Sequence, residues 1–224
     1  MKVNVFNLII LDESGSMESI KKPSLTGLNE TLQSIQNAQE THRELQNHFV
    51  TLVSFNSDRV KTILDLAPAS DIRMLTGRDY QPNSCTPMYD AMGSSLSKLR
   101  HQLNENEKNQ VLVTIITDGY ENASIEYSDK MIKHLVEELK HADWVFTYIG
   151  ANHDVTAVAD SLSVNNKMSF NADEAGVLCM LEKERSSRSN FFRKVSAKLF
   201  DSSINLQEDY FEADEATDSA AKEK

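Results

Sequence analysis

Three oxygen-bearing side chains at alternate positions, in Asp12-Glu13-Ser14-Gly15-Ser16, follow directly on the apolar run Leu8-Ile9-Ile10-Leu11. One carboxylate and two hydroxyls are hard donors that suit magnesium, manganese or calcium and fit zinc or copper poorly. Asp, Ser and Gly are also what turns that cap their own backbone are made of, so the motif gains meaning only if the chain supplies further ligands elsewhere. Two other places do. The apolar run 111–117 ends on a second carboxylate, Asp118, with Gly119 opening the turn. In Ser84-Cys85-Thr86-Pro87-Met88, Pro87 suits the first turn of a helix and Thr86 the cap position ahead of it, so that its hydroxyl points off the helix start. Asp12, Ser14, Ser16, Thr86 and Asp118 are therefore candidate ligands for Mg2+ (or Mn2+ or Ca2+).

These residues meet only if the fold brings three distant segments to one place. Apolar runs of strand length alternate with amphipathic stretches of helix length. Residues 3–11, 49–55, 111–117 and 144–149 read as strands, 60–66 as a hairpin partner after the turn Asn56-Ser57-Asp58, and 168–170 as a short last strand. Helical spacing begins at Ser24 with Leu25, Leu28, Leu32, Ile35 and Ala38. It recurs over 88–103, 127–141 and 154–162, and over 172–200 as one or two helices. Residues 67–86 read as loop with a short helix. The alternation predicts an α/β fold, a doubly wound, mostly parallel sheet with one antiparallel edge strand and helices on both faces. Such sheets place ligands beyond the carboxyl ends of their strands. Asp12 and Asp118 each end a strand, so they share that edge.

Taken together, the five residues resemble the metal-ion-dependent adhesion site (MIDAS) of the von Willebrand factor A (vWA) domain family, in an intracellular bacterial form. The resemblance covers about residues 3–180 and rests on Asp12-x-Ser14-x-Ser16, on Thr86 in Thr-Pro-Met-Tyr-Asp-Ala, and on Asp118 in Ile-Ile-Thr-Asp-Gly. Two departures stand out: Ser84 and Cys85 stand where many relatives have glycines, and Lys21-Lys22-Pro23 looks like an addition ahead of the first helix. The resemblance implies that Asp118 acts through water in the ligand-bound form and that the last helix moves with metal ligation. An ion held by three hydroxyls and so few carboxylates keeps positive charge, and a Glu or Asp of a protein partner is its natural last ligand. A divalent-metal-dependent protein-binding module is the expected function. The alternatives are a Mg-dependent phosphatase-like hydrolase and a vWA scaffold that does not use the metal. Haloacid-dehalogenase-like phosphatases place a second Asp where this chain has Ser14, and losing that general acid argues against catalysis. Phosphate-loop and nucleophile-elbow motifs are also missing.

Length and composition set the outer bounds. The 224 residues, 40% hydrophobic and 25% charged, are enough for one large globular domain. The expected division is a vWA-like domain over 1–180, a C-terminal helical extension over 181–201 and an acidic, disordered tail over 202–224. A formal charge of −11 argues against nucleic acid or an anionic membrane as partner. Cys85 and Cys179 have no zinc-site or redox-pair spacing and read as free thiols. The run 3–11 is short for a signal peptide and contains Asn4 and Asn7, and no stretch approaches the roughly 20 apolar residues of a membrane span. A cytoplasmic location is expected. No segment specifies an oligomeric state. His134 and His141 read as packing and surface residues, and His153 as a rim residue on the metal edge. Lys183, Arg185, Arg188, Arg193, Lys194 and Lys198 read as a solvated helix face.

Overall fold

Val3–Asp12 forms β1, the strand on which the sheet is organised, and nine of its ten residues are buried. A central parallel strand is covered on both faces, which is why its sequence is almost continuously apolar rather than alternating. The computed structural model describes residues 2–104 and 106–211. Its other strands are β2 (Gln46–Asn56), β3 (Arg59–Pro68), β4 (Asn109–Thr117), β5 (Val145–Gly150) and β6 (Asn166–Ser169). Its helices are α1 (Lys21–Thr41), α2 (Met88–Gln102), α3 (Asp129–His141), α4 (Val155–Ser161) and α5 (Glu174–Lys198), with a 3-10 turn over Gly15–Ile20. The sheet order is β3-β2-β1-β4-β5-β6. All pairs are parallel except the edge pair β2–β3. This is the doubly wound α/β sheet expected from the alternation of elements.

Successive β1 side chains feed two cores. Val5, Ile9 and Leu11 pack with Leu28, Leu32 and Phe192 beneath α1 and α5. Leu8 and Ile10 pack with Met92, Leu96, Ile132 and Trp144 beneath α2 and α3. β1 pairs with β2 and β4 along nearly its whole length, with Leu11 opposite Ser54 and Ile116. The carboxyl ends of these three strands therefore lie side by side.

Several boundaries differ from expectation. Lys21-Lys22-Pro23 is the first turn of α1, where proline's missing N–H costs nothing, and not an addition ahead of it. α3 begins at Asp129 because the Ser128 hydroxyl caps it, accepting from Met131 N. α5 runs unbroken from 174 to 198, so the boundary expected at 180/181 falls inside one helix. Its second half buries Phe191, Phe192 and Val195. Gly27 lets α1 and α5 approach, since a Cβ there would lie 1.8 Å from Leu181 Cδ1.

The acidic tail is not loose from residue 202. Leu206 and Tyr210 are buried against the α5 side of the core. Asn166 Nδ2 donates to Gln207 O (2.9 Å), and Tyr210 N to Asn166 Oδ1 (3.2 Å). The two large apolar side chains outweigh the polar composition around them. The remainder of the expected tail, 212–224, lies outside the described residues.

Arg188 is not on a solvated face either. It is fully buried, pairs with Glu184 at 2.6 Å, and donates to Asn7 Oδ1 and Thr114 Oγ under the sheet. Glu184, one turn earlier on α5, matches the charge, and helical position alone conceals the burial because the other two acceptors, Asn7 and Thr114, come from β1 and β4. Cys85 and Cys179 are free, as expected. No helix among the described residues is long and apolar enough to cross a membrane.

Candidate metal centre

Asp12 ends β1 fully buried. Its Oδ1 accepts from Ser14 N (2.7 Å), which closes the turn, and its Oδ2 accepts from Thr117 Oγ (2.6 Å) at the end of β4. Ser14 Oγ and Ser16 Oγ stand 3.2 Å apart, and Ser16 Oγ donates to Asp118 Oδ1 at 2.5 Å. The strand ends have thus brought Asp12, Ser14, Ser16 and Asp118 into one hydrogen-bonded group.

Thr86 reaches the same edge through its neighbours. Gly15 N donates to Ser84 O (3.0 Å) and Asn83 N to Glu13 O (2.8 Å), which ties the segment before Thr86 to the Asp12 loop. Thr86 N donates to Asn122 Oδ1 (2.9 Å), and Asn122 N returns a bond to Thr86 O (3.2 Å), tying it to the loop after Asp118. Thr86 does not cap α2: Pro87 occupies the cap position, and the first turn is capped from outside. Tyr89 N donates to Glu121 Oε2 (3.0 Å) and Asp90 N to Ser124 Oγ (3.1 Å). The Thr86 hydroxyl, freed of capping, makes no hydrogen bond among the described residues.

The electrostatics are those of an anionic pocket. Burial pushes the Asp12 carboxyl up to about 6, against the opposing hydrogen bonds from Thr117 and Ser14. Burial raises Asp118 as well, opposed by the Ser16 hydrogen bond and by the nearby His153. Glu13 is fully buried beside them. None of the three carboxylates is ion-paired with Lys or Arg among the described residues. A divalent cation fits this chemistry. Neighbouring ligands on an octahedral ion with bonds of about 2.1 Å lie about 3 Å apart, which is close to the Ser14–Ser16 spacing. No group of three His, Cys, Asp or Glu side chains able to hold a metal ion gathers among the described residues, so the donors at this edge are two carboxylates, Asp12 and Asp118, with hydroxyls between them.

His153 lies at the rim, as expected, with both ring nitrogens engaged. Nδ1 is 2.6 Å from Ala151 O and Nε2 is 2.9 Å from Tyr148 OH, while Tyr120 packs on the ring. Four residues that shape the site escaped the sequence reading: Glu13, Thr117, Glu121 and Asn122. Their partners lie on other strands and loops, and only the Thr-Asp-Gly-Tyr-Glu-Asn stretch around Asp118 carries three of them near a candidate ligand.

No protein-family model matches the chain. No curated protein sequence matches it either. Solved structures do share the fold. The pilus adhesin SpaC from Lactobacillus rhamnosus GG is 15% identical with a TM-score of 0.61, over 83% of this chain and 30% of that one. Proximal thread matrix protein 1 from the mussel byssus, solved with a zinc-occupied MIDAS motif, is 14% identical with a TM-score of 0.55, over 81% of this chain and 44% of that one. The SpRpn10 VWA domain is 13% identical with a TM-score of 0.50, over 80% of this chain and 94% of that one. The structural neighbours are vWA domains, and the α/β fold here is theirs. The chain spans less than half the length of the mussel protein and of the adhesin.

Proposed function

We propose that this chain is a divalent-metal-dependent protein-binding module in which Asp12, Ser14, Ser16, Thr86 and Asp118 hold Mg2+ (or Mn2+ or Ca2+). The observation that carries the reading is the pair of buried carboxylates, Asp12 and Asp118, joined through Ser14 and Ser16, with no Lys or Arg paired to either among the described residues. Buried charge is costly unless compensated, and the Thr86 hydroxyl, without a hydrogen bond among the described residues, is a further donor of the kind such an ion takes. When bound, the ion supplies a positive centre that attracts a Glu or Asp side chain of a partner protein. The zinc-occupied MIDAS of the mussel protein and the adhesive role of SpaC are in keeping with this reading.

Capture is favoured over turnover by what surrounds the carboxylates. Ser14 stands where a phosphatase-like site would need a general acid. His153, the nearby candidate base, has both nitrogens committed to Ala151 and Tyr148. Calorimetric titration of the wild type with Mg2+ and Mn2+, beside Asp12→Ala, tests the metal. A wild type that gives no heat leaves a scaffold that does not use the site. A pull-down from the native host in Mg2+ and in EDTA tests capture, and partners retained equally in both would refute the role of the ion.

A further inference from the structure

Glu13 is the fully buried carboxylate of the Asp12 loop that turns toward β2. Its Oε2 accepts from Ser54 Oγ (2.7 Å) and its Oε1 from the backbone N–H of Gln81 (2.5 Å). Its own backbone N donates to Phe55 O (2.8 Å), and its carbonyl accepts from Asn83 N (2.8 Å) and Asn56 Nδ2 (3.4 Å). Two donors from different segments converge on one side chain, and a carboxylate, which only accepts, satisfies both at once. Tyr80 OH donates to Asp12 O (2.8 Å), and Gly15 N to Ser84 O (3.0 Å), so residues 80–84 are stitched to the loop along their whole length. Thr86 comes two residues later, beyond the left-handed turn at Ser84 (φ 65°).

The Thr86 hydroxyl has no hydrogen bond of its own among the described residues, so its position is set by what holds its backbone. Asn122 holds it from one side, and the stitched segment 80–84 from the other. We infer that Glu13 is a positioning residue for metal binding: without touching the ion, it fixes Thr86 relative to Asp12, Ser14 and Ser16. This rests on the reading that those residues bind a divalent cation. Outer groups that orient ligands typically matter by about 10–100-fold in metal affinity.

The test is Mn2+ affinity, followed by the electron paramagnetic resonance of free Mn2+, for wild type, Glu13→Ala, Ser54→Ala, Thr86→Ala and the doubles Glu13→Ala/Thr86→Ala and Ser54→Ala/Thr86→Ala. Thermal unfolding in EDTA is measured alongside. Glu13→Ala should weaken Mn2+ binding by about tenfold or more. Ser54→Ala, which keeps the Glu13 charge but removes one of its anchors, should weaken it severalfold. Each double variant should bind no more weakly than Thr86→Ala alone, because the first substitution acts through the residue already removed. Should Glu13→Ala not fold, the Ser54→Ala pair carries the same comparison. Wild-type affinity in Glu13→Ala and Ser54→Ala overturns the inference, as do losses that multiply with that of Thr86→Ala. A merely structural role would lower the melting temperature and give one of those two results. A wild type that does not bind Mn2+ overturns the metal reading itself, and this inference with it.

Discussion

Replacing Asp12 by Asn should stabilise the metal-free protein while abolishing its response to metal. The Asp12 carboxyl is pushed from 3.8 up to about 6 in the folded state, with burial the dominant cause. Between those two values the native state binds more protons than the unfolded one, so metal-free stability falls as the pH rises from about 4 to about 6 and stays low above it. At about 1.4 kcal/mol per pH unit, the ionised side chain costs about 3 kcal/mol at neutral pH. Asn removes the charge and keeps most of the hydrogen bonds. Its carbonyl can accept from Ser14 N, and its amide can face Thr117 Oγ, whose hydroxyl already has Gly119 O as a second acceptor at 3.2 Å. Allowing for the rearranged bonds, the net gain should be about 1–3 kcal/mol, a rise of about 2–4 °C in melting temperature for each kcal/mol in a chain of this size. The assay is thermal and urea unfolding in EDTA from pH 3.5 to 8. The gap should be full at pH 7 and should close below about pH 4, where the native Asp12 is protonated and resembles Asn. Mg2+ at a hundred times its dissociation constant should then stabilise the wild type by about 2.7 kcal/mol and leave Asp12→Asn unchanged. A variant no more stable than wild type at pH 7 in EDTA would refute the reasoning. A gap that persists at pH 3.5 would assign the effect to packing instead of charge burial.

His48 should give the opposite slope. Burial holds its imidazole down at about 3, with the charges of His42 and Arg188 adding to the effect, and neither ring nitrogen has a hydrogen-bond partner among the described residues. Stability from the neutral ring is present above about 6.5 and is lost as the pH falls toward 3. His48→Leu should therefore be at least as stable at pH 7 and lose about 2 kcal/mol less than wild type between pH 7 and 5, read by urea unfolding. Arg188→Met strands Glu184 in the core without its cation and should cost about 3–5 kcal/mol. Adding Glu184→Leu to it should recover most of that loss; a double variant as unstable as the single would show that the charge was not the cause. Ending the chain at Asp201 removes the buried Leu206 and Tyr210, the latter also donating to Glu184 Oε1 at 3.1 Å. At about 1.5–3 kcal/mol for each side chain, unfolding should begin several degrees lower. An unchanged melting temperature would mean that the segment does not hold α5.

Much of the architecture was legible from local pattern. The unbroken apolar runs of β1 and β4 reveal strands covered on both faces, and the turn at Asn56-Ser57-Asp58 marks the antiparallel edge. The helix ends were less legible, because capping groups decide them: Ser128 for α3, and Glu121 with Ser124 for α2. Reading Thr86 as a cap missed that the cap comes from a loop more than thirty residues on.

The amino-acid order by itself determined which residue types could bind an ion and that two of them close strands, since hard oxygens at alternate positions and apolar runs are local properties. The tertiary structure alone decided how those groups are held. Asp12 depends on Thr117, Ser16 on Asp118, and the Thr86 segment on Glu13 and Asn122, each pair joined across strands or loops far apart in the chain. It also decided the fate of charge. Arg188 is neutralised beneath the sheet by Glu184, while Asp12, Glu13 and Asp118 have no Lys or Arg partner among the described residues. Burial and long-range pairing set the cost of each charge, and neither exists until the strands have come together.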